Sequence, residues 1–167
     1  MSLGFAVLLW LHIVGAVGWL GAAMVFAMLI GPTLPTLTPA SRGELVVKLI
    51  PKYINYALTF TFITPIFGLA LALYISHGSW SVFAPTSSFG LFISIGALLS
   101  IAAWVIAFGL VGPTSRKVVR YTKEMMKNPG PPPPELLKAS KRLRMVSTTG
   151  LVVLLLIVAC MVAAATL

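Results

Sequence analysis

Four long apolar stretches, separated by polar ones, organise this chain. They run near residues 3–30, 53–76, 89–112 and 145–167, and each reaches the roughly 20 residues that a helix needs to cross about 30 Å of hydrocarbon. No two-residue alternation interrupts them. Their backbone polar groups are therefore expected to pair within helices rather than around a closed barrel. The expected fold is all-α: a four-helix transmembrane bundle forming one integral membrane domain over residues 1–167. The first stretch has no basic lead and exceeds the apolar run of a signal peptide, so it reads as a retained anchor.

The polar connections carry patterns of their own. Ser41 followed by Glu44 fits a capping box, and Glu44 with Lys48 forms an i,i+4 pair. A short helix over 42–50 follows from this, with Pro51 as its stop. In the long connection 113–144, the run GPTSRKVVRYTKEMMK turns basic and partly amphipathic through Val118, Val119, Tyr121, Met125 and Met126. The following PGPPPP lacks most amide donors and favours a stiff polyproline II spacer, with the last helix starting near Glu135. Within the second stretch, Thr59, Thr61 and Thr64 precede Pro65. They are expected to rebond the carbonyl that the proline frees.

Composition sharpens the class. Hydrophobic residues make up 59% of the 167 and charged residues 9%, a balance that no water-soluble domain of this length exposes. All twelve Lys and Arg fall into two connections: Arg42, Lys48 and Lys52 in the first, and Arg116, Lys117, Arg120, Lys123, Lys127, Lys138, Lys141, Arg142 and Arg144 in the third. Four spans put those connections on one side, and the positive-inside rule makes it the cytoplasmic side of a prokaryotic plasma membrane. Both termini and the 77–88 loop are then expected outside. The formal net charge of +9 belongs to juxtamembrane segments facing anionic headgroups, so the expected partners are the lipid bilayer and other membrane subunits, and no nucleic acid.

Chemistry inside the spans is sparse. The three acids, Glu44, Glu124 and Glu135, all lie in connections, and there is no aspartate. This argues against an ion pump, a carboxylate-bridged metal and paired-carboxylate catalysis. One cysteine, Cys160, allows no disulfide within the chain. His12 is the exception: an imidazole well within the first span, with Gly15, Ala16 and Trp19 on the same helical face. A histidine beside small residues and an aromatic suits a planar porphyrin site. It equally suits a neutral histidine that bonds to a neighbouring helix and fills a gap. His77, Cys160 and Met161 share its membrane half, and a cluster with His12 would offer N and S donors to copper or iron. Met24 and Met28 form an i,i+4 thioether pair farther along the first helix. No nucleophile and base pair, phosphate loop or dinucleotide fingerprint occurs, so no self-contained catalytic constellation is expected.

The run Leu11, His12, six residues, Trp19, one residue, Gly21 resembles the first helix of the CopD-like and HemJ-like membrane proteins. Pro32 soon after that helix, and Lys141, Arg142, Arg144 and Met145 opening the last one, are similar too. The HemJ-like branch implies heme b at His12, with Trp19 beside it; the CopD-like branch implies copper handling. The intramembrane lysine of the HemJ-like branch has no counterpart here. Three functions follow as expectations: a b-type heme-binding redox or accessory subunit of a respiratory or oxidase-type complex, a copper-handling transporter, or a structural accessory subunit without a cofactor.

Overall fold

The computed structural model describes residues 2–166. These contain no strand and four helices long and apolar enough to cross a membrane: α1 (Leu3–Thr36), α2 (Pro39–Ile75), α3 (Ser88–Lys127) and α4 (Pro134–Thr166). The all-α, four-helix architecture of a multi-pass membrane protein is thus in place. Leu167, the end of the fourth apolar stretch, lies outside the described residues.

Side-chain caps set where the helices begin. Ser2, Thr38 and Ser87 each accept from a free amide of the first turn, at Phe5, Ser41 and Gly90 respectively. The cap at Thr38 corrects the expected box at Ser41. Pro39 supplies the reason: its fixed φ suits the first helical position, where a missing N–H costs nothing. Ser41 thereby falls inside the first turn. The Glu44–Lys48 ion pair does form, and it holds the exposed Glu44 carboxyl below its ordinary range.

Pro51 does not stop this helix either. A hitch occurs at Leu49, whose N–H still bonds the Leu45 carbonyl at 2.8 Å and whose carbonyl accepts from Tyr53 at 2.9 Å. Pro51 sits at the start of the next helical run, so α2 continues from the polar end into the apolar region. Likewise α3 carries on through residues 113–127, and only 128–133, the proline-rich spacer, leave the helix before α4. The threonines before Pro65 also act differently from expectation. Thr61 and Thr64 donate to the carbonyls of Ala57 and Phe60 at 2.8 and 2.7 Å, one turn back, rather than to the carbonyl that Pro65 frees.

Both α1 and α3 widen into π-helix, at Val25–Ile30 and Ala107–Val111. The same short run ends each: Leu29-Ile30-Gly31-Pro32-Thr33 and Leu110-Val111-Gly112-Pro113-Thr114. Gly31 and Gly112 donate five residues back, to the Phe26 and Ala107 carbonyls. A proline one position on supplies no N–H and crowds the preceding turn, so the ladder shifts by one residue.

The helices associate chiefly as two antiparallel pairs, α1 with α2 and α3 with α4. Small residues bring the first pair together. A Cβ on Gly15 would stand 3.2 Å from the Thr64 Cα, and one on Gly18 would collide with the Phe60 ring. Polar ties close both ends: Tyr53 donates to the Ala22 carbonyl, and Ser2 bonds the Tyr74 hydroxyl at 2.6 Å. The pairs then meet over two apolar clusters. One, toward the basic end, includes Phe26, Ile50, Ile54, Val118 and Leu143; the other comprises Trp19, Ala103, Leu154 and Ile157. Close van der Waals contact at such small-residue faces drives association where lipid removes the hydrophobic difference.

Candidate functional site

Helix α1 presents His12 on the side of Gly15 and Trp19, both buried, while Trp10, Ile13 and Val17 on the opposite side are exposed. The imidazole is half-buried. Its Nδ1 lies 3.1 Å from the carbonyl oxygen of Thr64 on α2. A carbonyl only accepts, so Nδ1 carries the proton and Nε2 holds the lone pair. The ring rests in a hollow left by Gly68, where a Cβ would stand 2.8 Å from the His12 Cε1. Nε2 makes no hydrogen bond among the described residues, which leave no unpaired side-chain nitrogen or oxygen fully sealed. Its lone pair is therefore open to an incoming group.

Two contributors were not visible in the sequence, Gly68 and the Thr64 carbonyl. Thr64 and Gly68, one helical turn apart, mark in the sequence a place where another helix can approach closely, but nothing there says that His12 lies opposite.

The other candidates fall in different places. Gly15 opens onto Thr64 and is filled by it, so no flat space remains at that glycine. Ala16 is half-buried. Trp19 is 7% exposed and packs into the central cluster with Ala103, Leu154 and Ile157. It also lines a cavity of about 70 Å³ between the two helix pairs, together with Phe26, Tyr53, Thr61, Ser147 and Gly150; His12 does not reach that cavity.

His77 is exposed in the turn after α2, in a left-handed conformation with φ 52°. It lies nine positions beyond Gly68, or roughly 14 Å along a helix axis. Cys160 and Met161 pack on the α3 side, against Gly96, in the other helix pair. The four-residue cluster of His12, His77, Cys160 and Met161 is therefore not formed, because its members divide between the two pairs and a loop. No three His, Cys, Asp or Glu side chains gather as a metal site among the described residues. Met24 and Met28 are 40% and 62% exposed on the outer side of α1.

No family model, curated protein or solved structure matches the chain.

Proposed function

We propose that this protein is a b-type heme-binding redox or accessory subunit of a larger respiratory or oxidase-type membrane complex, in which His12 Nε2 would hold the iron. The bond from Nδ1–H to the Thr64 carbonyl carries the reading. A ligating histidine characteristically gives its other ring N–H to a carbonyl or carboxylate, which fixes the tautomer and makes the ligating nitrogen more basic. His12 has that arrangement in an apolar region, where an acceptor left unmet costs about 1–3 kcal/mol. When bound, heme supplies a one-electron couple. The part of this chain is to hold the iron, keep Nδ1 protonated and seat the ring against Gly68.

The resemblance of Leu11, His12, Trp19 and Gly21 to the CopD-like and HemJ-like first helix supports the same reading. A partner subunit belongs to this reading, since no three His, Cys, Asp or Glu side chains gather around His12 among the described residues to complete a site within the chain. The distribution of Lys and Arg supports a prokaryotic plasma membrane with the basic end in the cytoplasm.

One observation favours the structural alternative. The imidazole fills a hollow on α2 and bonds its backbone, which is also what a packing residue does. Copper handling has less support, since His77 is distant along the helix and Met24 and Met28 face outward. Metal analysis and the pyridine hemochrome of the purified protein separate the three. Stoichiometric heme b supports the proposal, bound copper the transporter, and neither metal the structural subunit.

A further inference from the structure

Four polar side chains are buried among the described residues: Thr61, Thr64, Thr114 and Ser115. Three of them donate to backbone carbonyls of their own helices. Thr114 does not. The residue is 6% exposed; its hydroxyl, which is not sealed, makes no hydrogen bond among the described residues, and Thr114 lines a cleft of about 240 Å³ between the basic extension of α3 and the start of α4.

The walls of that cleft are two facing helical stripes. Thr114, Lys117 and Tyr121 share one face of α3 at spacings of three and four; Glu135, Lys138 and Arg142 share one face of α4. Lys117, Lys138 and Arg142 form no ion pair among the described residues, where the pairs are Lys48–Glu44 and Arg120–Glu124. Three cations against the single Glu135 carboxylate leave the cleft two charges positive. Buried Ala139 also lines it and belongs to the apolar cluster that includes Val118 and Leu143. Its depth is also defined: the apolar run of α3 ends at Gly112 and that of α4 begins at Met145, which puts the cleft at the level of lipid headgroups.

We propose that this cleft binds a phosphate group, with Lys117, Lys138 and Arg142 neutralising its charge and the Thr114 and Tyr121 hydroxyls donating to its oxygens. A phosphate offers several acceptor oxygens to converging donors, and basic pockets between helices at this level suit anionic headgroups. A general positive-inside bias explains the presence of the charges. It does not explain a largely buried threonine whose hydroxyl makes no hydrogen bond among the described residues and lines the same cleft as the charges. The proposal is independent of any cofactor at His12 and of which way the bundle faces.

The phosphate is borne by an anionic phospholipid or is free in solution, and one set of variants distinguishes these. Retention of phosphatidylglycerol against phosphatidylcholine is measured by native mass spectrometry of the detergent-purified protein, and thermal unfolding is followed with inorganic phosphate against chloride at equal ionic strength. For a lipid source, phosphatidylglycerol is preferred, and the triple change Lys117→Gln, Lys138→Gln, Arg142→Gln lowers retention about tenfold or more. The control Lys123→Gln, Lys127→Gln, Lys141→Gln removes the same charge from exposed positions outside the cleft and should leave the preference in place. For a soluble source, inorganic phosphate raises the unfolding temperature of the native protein and the control but not of the cleft variant. Thr114→Val keeps every charge and should weaken whichever binding is seen several-fold. Equal losses in the two triple variants, or no preference for phosphatidylglycerol together with no effect of phosphate, would overturn the proposal.

Discussion

At the level of single residues, the proposal rests on His12, and Gly68 sets the space in which its ring lies. A methyl group at Gly68 would press on the imidazole at 2.8 Å from Cε1 and 3.0 Å from Nδ1. Gly68→Ala should therefore turn the ring and lengthen its bond to the Thr64 carbonyl. The expected outcome is a several-fold fall in heme occupancy, or a shifted reduction potential, read by redox titration with helical content unchanged in circular dichroism. An unchanged potential at full occupancy would mean that Nε2 is not a ligand. The sequence alone showed the histidine, its depth and its face. It did not show its partner, because that partner is a backbone carbonyl, which no side-chain pattern encodes. Nor did spacing along α1 reveal that Gly15 meets Thr64 instead of an open space. A small residue in a membrane helix marks a close approach without naming what approaches.

Among the helices, the tightest constraint is the α1–α2 contact. At Gly15 an added Cβ meets the Thr64 Oγ1 at 2.8 Å and the Thr64 backbone at 3.2 Å. Backbone cannot swing aside, so Gly15→Ala should cost about 1–3 kcal/mol by overpacking, seen as a lower unfolding temperature in detergent. Gly21 has nothing within 4 Å of such a Cβ, and Gly21→Ala should be neutral or slightly stabilising. Equal effects at the two glycines would contradict the packing described. Helix positions were legible from the apolar runs, whereas their ends were not. Pro51 was expected as a stop and the third apolar run ends at residue 112, yet Pro51 and Pro113 each occupy an early turn of a continuing helical run, where a missing N–H does little harm. The π-helical turns were equally hidden, since the Gly-Pro step that produces them also reads as a simple stop.

For the whole molecule, the charge distribution argues that the basic end faces the cytoplasm. In a Cys160→Ala background, a single cysteine replacing Ser79 should react with an impermeant thiol reagent on intact cells. One replacing Asn128 should react only after permeabilisation; the reverse pattern would invert the orientation. The division into two helix pairs also bears on the proposal, because Cys160 and Met161 pack against Gly96 in the α3–α4 pair whereas His12 packs against α2. The most direct measurement is the reduced-minus-oxidised visible spectrum of the protein purified from heme-replete membranes, beside that of His12→Ala. Native protein should show the Soret and alpha bands of b-type heme, and His12→Ala should lose both while its helices and unfolding transition persist. Native protein without those bands, or His12→Ala with them intact, would contradict the assignment and leave His12 as a residue of packing alone.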